Sequence, residues 1–330
     1  MRKAALLYNA RSGGRRFQRN ADLQAVLNIL RGASVEANLV LTQSSTDATE
    51  QARKAIVEGC DTVFACGGDG TVHDVLQAVA GTRVALGVIP MGTANALAHD
   101  LGLPLDPADA ARAALQAEQR RIALGRVQVC DFEGNPLTRY FTVAVGIGVD
   151  AHLFYKLNTG VKQRLGMAAY YVQAWYLWFT HRMDRFAVEI GDGGGGSRAR
   201  RCEGATELLA VRIRNFGGVV RELAPGASLD RNDMRVVLCR TASRFSYLLY
   251  VTRGLLGGEW NVPGVELVHS ERVQCDYLPG ADHVGSGNPT RVYVEVDGEL
   301  VGQLPADITM VPDALTILTP KRDWDQETPN

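Results

Sequence analysis

The sequence predicts an α/β protein with two domains, a doubly wound parallel sheet followed by an antiparallel β-sandwich. Strand-like and helix-like apolar patterns alternate over residues 1–124, and short strand candidates separated by turn residues replace them afterwards. Two glycine-rich turns each join a strand candidate to a helix candidate. The 330 residues suit two cores, and 46% apolar with 22% charged residues is typical of a packed globular chain. We therefore predict domains at 1–124 and 125–320, with a tail at 321–330.

The first domain is predicted from the spacing of its apolar residues. Continuous apolar runs predict strands at 4–8, 35–41, 62–66 and 84–89. Apolar residues three or four positions apart predict helices around 23–30, at 47–58, after residue 71 and between residues 93 and 102. This alternation is typical of a parallel sheet covered on both faces. The loops after Tyr8, Cys66 and Ile89 are then expected to meet at one edge of that sheet.

The second domain is predicted from a series of short strand candidates. They lie at 126–130, 140–145, 186–190, 208–214, 236–240, 265–269, 272–277 and 292–297. Few helices intervene, which favours an antiparallel sandwich. The glycine-rich stretch 191–197 is predicted to be a hairpin loop, and 165–180 is predicted to be an aromatic-rich helix.

Charge and cysteine content narrow the classes of function. A net charge of −1 gives the protein no overall positive electrostatic potential, so we predict no nucleic-acid partner. Six scattered cysteines without a C-x-x-C pair are typical of free thiols in a reducing compartment. The apolar start, residues 4–7, is too short for a signal peptide, and no apolar run is long enough to span a bilayer. These observations predict a cytoplasmic protein.

The two glycine-rich turns are Gly67-Gly68-Asp69-Gly70-Thr71 and 90–95, which reads Pro-Met-Gly-Thr-Ala-Asn. A glycine turn before a helix lets backbone N–H groups approach an anion without interference from Cβ, beside the positive end of the helix dipole. Two such turns in tandem, the first with a carboxylate, predict a polyphosphate site. Asp69 would hold Mg²⁺ there, although an Asp between glycines also commonly just stabilises a turn.

At these residues the chain resembles the diacylglycerol kinase catalytic-domain family, which includes sphingosine and ceramide kinases. The Gly-Gly-Asp-Gly-Thr motif is shared with NAD kinases, whereas the second motif (Pro90, Gly92, Thr93, Asn95) points to the lipid kinase branch. The resemblance implies an ATP-dependent lipid kinase with Mg²⁺ as cofactor. The ATP-binding residues it implies are Asn9, Ser12, Gly13, Gly67, Gly68, Asp69, Gly70, Thr71, Gly92, Thr93 and Asn95. Thr93 could instead be a helix N-cap, and Asn9 with its neighbours a plain polar turn.

Acidic residues of the second domain resemble those that the family uses to act on the lipid acceptor. Glu299 matches the position that takes the proton of the lipid hydroxyl, and Asp297 lies beside it as a substrate-binding candidate. An Asp-Gly pair is also a common hairpin turn. Asp150 falls where sphingosine kinases carry an acidic residue facing the substrate, although a solvated loop carboxylate fits equally. Asp230 and Asp233 resemble an interrupted form of an accessory magnesium site, and the sequence leaves that site undecided.

The acceptor implied by the resemblance is a membrane lipid. Tyrosines and tryptophans of the predicted helix 165–180 suit a membrane interface, although they suit a core helix as well. Contact with the membrane is expected to be peripheral and transient, and a homodimer remains an open option. Diacylglycerol is the leading acceptor, and the alternatives are a sphingosine or ceramide kinase, an NAD kinase, or a non-catalytic lipid-binding protein. The reading Asn95-Ala96-Leu97-Ala98 resembles sphingosine kinases, because bacterial diacylglycerol kinases often have Asp after that asparagine.

Overall fold

The computed structural model describes residues 1–9, 16–148, 184–191, 200–216, 224–241, 243, 246, 249, 250, 252, 261–279 and 291–321. The chain divides into two compact units. The first comprises Met1–Ala123, Asn215–Gly218 and Pro312–Asn330, and the second comprises Leu124–Arg214 and Val219–Val311. Ser12, Gly13, Asp150 and the predicted helix 165–180 lie outside the described residues.

The first unit is a parallel sheet with helices between its strands. In chain order its elements are β1 (Lys3–Asn9), α1 (Arg16–Gly32), β2 (Glu36–Thr42), α2 (Ser45–Val57), β3 (Thr62–Gly67), α3 (Asp69–Val79), β4 (Ala85–Pro90), α4 (Ala96–Asp100) and α5 (Pro107–Gln116). The strand order is β2-β1-β3-β4, all parallel. Every residue of β3 and β4 is buried, as expected for parallel strands covered on both faces. The α/β prediction is confirmed.

Helix packing follows the apolar spacing in the sequence. Buried residues of α1 and α5 form one cluster with residues of β1, β3 and β4. Helices α2 and α3 pack against each other, and α2 is buried along Ala48, Ala52 and Ala55. The sequence analysis missed α5, although Asp106 caps its first turn and Pro107 occupies its first position.

The second unit is built of antiparallel strands. They are β5 (Glu118–Cys130), β6 (Pro136–Phe141), β7 (Ala144–Gly148), β8 (Phe186–Gly191), β9 (Arg200–Ala205), β10 (Glu207–Val211), β11 (Met234–Cys239), β12 (Val265–Ser270), β13 (Arg272–Tyr277), β14 (Tyr293–Val296) and β15 (Glu299–Thr319). One path runs β12-β11-β10-β7-β14-β15, while β15 also pairs with β5 and β13, and β13 continues to β8 and β9. Buried residues of both groups of strands form one apolar core, and the predicted sandwich is confirmed.

Three details differ from the sequence prediction. The single strand predicted at 140–145 is two strands, β6 and β7, and β9 was not predicted. The strands on either side of the predicted hairpin loop, β8 and β9, pair antiparallel. Strand β15 also extends far beyond the predicted last strand, and its end at Thr316 and Ile317 pairs in parallel with β4. Residues 312–320, which were predicted as the end of the second domain, therefore group with the first unit.

Within the described part of the chain, no helix combines the length and the apolar character needed to cross a membrane.

Candidate active site

The predicted loops leave the sheet at neighbouring positions. In the register of the parallel strands, Tyr8 lies opposite Cys66, and Gly67 lies opposite Pro90. Asn9 is the last residue of β1, and its carbonyl accepts a hydrogen bond of 3.3 Å from Arg19 on α1. Because parallel strands end at the same edge of a sheet, Asn9 and both glycine turns start from one edge.

The two glycine turns are in direct contact. The N–H of Met91 donates to the carbonyl of Gly67 over 2.9 Å. A Cβ placed on Gly92 would lie 2.4 Å from the Cα of Gly68, and one placed on Gly67 would lie 2.3 Å from Oγ1 of Thr71. Such distances are far below van der Waals contact, so only glycine allows this approach. The absence of Cβ at these glycines therefore allows the two turns to pack directly against each other.

Gly92→Ala is expected to separate the turns and weaken the predicted ATP binding by about tenfold or more, because the new Cβ would lie 2.4 Å from the Cα of Gly68 and 2.8 Å from Oδ1 of Asn95. Isothermal calorimetry with MgATP measures the loss. Gly32→Ala is the matched control, because a Cβ at Gly32 meets nothing within 4 Å. Unchanged MgATP affinity in Gly92→Ala would contradict the predicted role of this contact.

Asp69 connects the first turn to the second. It is the first residue of α3, and its Oδ1 accepts a hydrogen bond of 2.7 Å from the N–H of Ala96, the first residue of α4. The bond fixes the direction of the carboxylate, and no side-chain pattern in the sequence indicated it, because the donor is a backbone N–H. The start of α3 also favours a negative group at this position.

Asn95 shapes the second turn. It adopts a left-handed conformation with φ of 50°, its Oδ1 accepts from the N–H of Gly92 over 2.9 Å, and its Nδ2 donates to the carbonyl of Gly92 over 3.1 Å. Asn95 is also the residue that caps α4. The alternative that Thr93 is the N-cap is therefore wrong, because α4 begins two residues later than a Thr93 N-cap requires, and Thr93 is exposed in the turn.

The donors at this edge fit Mg²⁺. Magnesium prefers oxygen ligands and usually takes one or two carboxylates, with phosphates and waters completing its shell. The carboxylate of Asp69 has the chemistry of such a ligand, and its predicted role in holding Mg²⁺ stays a prediction. Throughout the described ranges no three His, Cys, Asp or Glu side chains converge as a metal site. Cys66, at the end of β3, is not a competing nucleophile, because burial raises the pKa of its thiol.

Asp74 has a structural position on α3. Its carboxylate accepts a hydrogen bond from the hydroxyl of Ser45, and its carbonyl accepts one of 2.9 Å from Thr49. Both donors lie on α2. Asp74 therefore ties α2 to α3.

The turn that precedes Glu299 is a two-residue hairpin between β14 and β15. Asp297 and Gly298 have φ values of 50° and 85°, as a hairpin turn of the Asp-Gly type requires. The buried Oδ1 of Asp297 accepts from the N–H groups of Val143 (2.9 Å) and Ala144 (3.0 Å), and Oδ2 accepts from Thr142 (3.1 Å). Its carboxylate thus joins this turn to the segment that leads into β7. The substrate role predicted for Asp297 stays a prediction.

A second buried carboxylate supports the same turn. Oε1 of Glu295 accepts a hydrogen bond of 2.6 Å from the N–H of Gly298, and Glu295 is buried. The sequence analysis did not single out Glu295. The available signal was its position between the apolar residues of a predicted strand. Glu299 follows the turn as the first residue of β15 and is exposed. Two buried carboxylates therefore fix the backbone that presents Glu299.

Asp297→Ala is expected to lower the free energy of unfolding by about 3 kcal/mol or more, because three buried N–H groups lose a charged acceptor and Ala disfavours a positive φ. Urea denaturation followed by fluorescence measures it. Asp313→Ala is the control for the backbone alone, because Asp313 also has a positive φ of 48° and is exposed. Equal losses in the two variants would show that the carboxylate contributes nothing.

Asp233 is held by Arg231 and His269. Arg231 Nε donates to its Oδ1 over 2.7 Å, and His269 Nδ1 lies 3.3 Å from the same oxygen. Burial alone would raise the pKa of Asp233, but the bonds to Arg231 and His269 outweigh it and keep that pKa below its usual value. A metal ion at Asp230 and Asp233 would have to displace this guanidinium.

Comparison with known proteins agrees with the geometry. Residues 3–127 match the model of the diacylglycerol kinase catalytic domain, and residues 143–319 match the YegS C-terminal NAD kinase beta sandwich-like domain. A diacylglycerol kinase of Bacillus subtilis is 27% identical over 329 residues, covering 99% of both chains. One of Staphylococcus saprophyticus is 25% identical over 321 residues, covering 97% of this chain and 96% of that one.

A solved structure shares the fold. The crystal structure of a diacylglycerol kinase from Bacillus anthracis superimposes with a TM-score of 0.67 at 17% identity, covering 96% of each chain. The two matched domains together span nearly the whole chain, in the order that the structure shows. The chain therefore belongs to the diacylglycerol kinase catalytic-domain family and is a lipid kinase.

Proposed function

We propose that this lipid kinase transfers the γ-phosphate of ATP to the hydroxyl of diacylglycerol and so forms phosphatidic acid, with Mg²⁺ as cofactor. The observation that carries the proposal is the contact between the two glycine turns, with Asp69 of the first turn bonded to Ala96, the residue that follows the second. Phosphoryl transfer needs mainly positioning and charge neutralisation. A pair of glycine turns with one oriented carboxylate provides both.

The nucleotide would lie across Asn9 and the two turns. Backbone N–H groups of 67–70 and 93–95 would donate to its phosphates, and the start of α3 adds the positive end of a helix dipole. Asn95 fixes the second turn through Gly92, so these donors are oriented before the nucleotide arrives. Bound Mg²⁺ would neutralise charge on the phosphates, with Asp69 as its protein ligand.

Glu299 would act on the acceptor. A lipid hydroxyl is a weak nucleophile until a base removes its proton. As the hydroxyl oxygen bonds to the γ-phosphorus and the bond to the bridging oxygen of ADP breaks, the proton passes to the Glu299 carboxylate. Glu299 is exposed, and its backbone is fixed by Glu295 and Asp297, which suits a base that must meet an external substrate.

The place of reaction follows from the acceptor. Diacylglycerol stays within a bilayer, so the kinase must meet it at a membrane surface. We therefore propose a cytoplasmic protein that associates transiently with the membrane. The predicted contact residues of 165–180 and the substrate candidate Asp150 belong to this proposal.

A sphingoid base or ceramide is the second candidate acceptor. The residue after Asn95 is Ala96, as in the sphingosine kinase pattern described above, and the backbone of Ala96 is the donor to Asp69. Asp69 is the carboxylate that this pair of turns provides. Residues outside the two turns must therefore select the lipid acceptor. This leaves the lipid specificity to experiment.

The experiment is incubation of the full chain with ATP, Mg²⁺ and a total lipid extract, followed by mass spectrometry. We expect phosphatidic acid to accumulate, and it should not form when Mg²⁺ is chelated. Phosphorylated sphingoid base or ceramide would identify the second candidate. Phosphorylation of added NAD, or no ATP turnover with any lipid, would contradict the proposal.

A further inference from the structure

Helix α4 is anchored at both of its ends. Its first residue, Ala96, donates its N–H to Asp69, and its last residue, Asp100, accepts at Oδ1 a hydrogen bond of 2.9 Å from the N–H of Asn215. Asn215 begins the stretch Asn215–Gly218, which the contacts place in the first unit, far in sequence from the rest of it. A helix of only five residues therefore joins this stretch to the carboxylate of Asp69.

The bond from Asp100 is not needed to end the helix. The N–H of Leu103 donates to the carbonyl of Ala98 over 2.9 Å, and Gly102 adopts a positive φ of 67°. These features are a complete helix C-cap formed by backbone alone. Three consecutive residues of α4, Ala96, Leu97 and Ala98, are also buried. Local structure and packing therefore stabilise α4 without the side chain of Asp100.

The same bond contributes little to stability. Asn215 is exposed and Asp100 is half-buried, so water can replace either partner at small cost. What the bond does fix is position, because it restrains the end of a short rigid element whose other end orients Asp69. A carboxylate that ligates a metal is sensitive to such outer hydrogen bonds.

We propose that Asp100 is a positioning residue for phosphoryl transfer, acting through α4 and the N–H of Ala96 on the carboxylate of Asp69. The inference rests on the proposed function, in which Asp69 holds Mg²⁺. Removing Asp100 loosens α4 from Asn215, allows the Ala96 donor to shift and lowers the affinity of Asp69 for the metal with its nucleotide.

The test compares the full-length wild type with Asp100→Ala, Asp100→Asn and the control Asp109→Ala. Asp109 lies on α5 and forms an exposed ion pair with Arg112, so its loss should change nothing. Three quantities are measured: the rate of phosphate transfer to diacylglycerol in mixed micelles against Mg²⁺ concentration, the affinity for MgATP by calorimetry, and the melting temperature.

Asp100→Ala is expected to need about tenfold more Mg²⁺ for half-maximal rate and to bind MgATP about tenfold more weakly, at an unchanged melting temperature. Asp100→Asn keeps an acceptor oxygen at the same position and should restore both values to within about threefold of wild type. Unchanged Mg²⁺ dependence in Asp100→Ala, equal losses in both variants, or a fall in melting temperature that accounts for the loss would overturn the proposal. If the wild type binds MgATP but phosphorylates no lipid, the proposed function fails while the calorimetric comparison still decides the role of Asp100.

Discussion

Asp69→Asn is expected to lower kcat for lipid phosphorylation by about a thousandfold or more, because the reaction loses the charge that holds Mg²⁺. The amide oxygen of Asn can still accept the hydrogen bond from Ala96, so the two turns should stay in contact. The loss is therefore chemical and not structural. Initial rates at saturating ATP and lipid measure it, and the melting temperature should match that of the wild type.

The control for Asp69→Asn is Asp109→Asn, which removes one negative charge from the exposed surface of the same unit. Its rate should equal that of the wild type. If Asp69→Asn retains more than about a tenth of the wild-type kcat, the carboxylate does not hold the metal and the magnesium assignment is wrong.

Glu299→Gln is expected to reduce kcat by about 10²–10⁴-fold, since Gln has the size of Glu but cannot take the hydroxyl proton. MgATP affinity should be unchanged, because Glu299 is proposed to act on the acceptor hydroxyl and not to bind the nucleotide. This separates the two variants, since Asp69→Asn should weaken MgATP binding and Glu299→Gln should not. Transfer rates and calorimetry on the same preparations give both values.

The matched control for Glu299→Gln is Glu203→Gln on β9, which removes another exposed carboxylate of the second unit, one that lies 3.4 Å from Arg201. It should leave the rate unchanged. Substantial turnover by a folded Glu299→Gln protein would remove Glu299 from the mechanism and leave the base to another group.

The α/β half was predictable because its signals are local. Apolar spacing placed β1 to β4, and the glycines 67, 68 and 92 marked the turns whose contact the structure shows. What the sequence analysis missed depends on the backbone of distant residues. Asp69 is held by the N–H of Ala96, and Asp100 by the N–H of Asn215. Almost every residue has a backbone N–H, so the residue types in the sequence do not indicate these two bonds.

The last strand shows a different limit. Strand β15 contains Pro305 and Pro312, which read as strand breakers, and yet the strand continues from an antiparallel sandwich into a parallel sheet. Only its pairing partners decide this path, and β4 is more than two hundred residues away in sequence. Local sequence patterns therefore could not show that the second unit ends at Val311, before the boundary predicted at residue 320.

The carboxylates of the hairpin illustrate a third case. Asp297 and Glu299 both matched the pattern of a functional site, and the sequence could not tell a carboxylate that binds backbone from one that faces solvent. The structure distinguishes their environments, because Asp297 is buried among N–H donors and Glu299 is exposed. Their roles in the reaction are predictions for the variants described above.

The central claim is that the contacting glycine turns bind the triphosphate of ATP. A crystal structure of the full chain with Mg²⁺ and a non-hydrolysable ATP analogue tests it most directly. We predict phosphate oxygens within hydrogen-bond distance of backbone N–H groups in 67–70 and 93–95, with the metal against Asp69. A nucleotide bound elsewhere, with these N–H groups facing only water, would contradict the account.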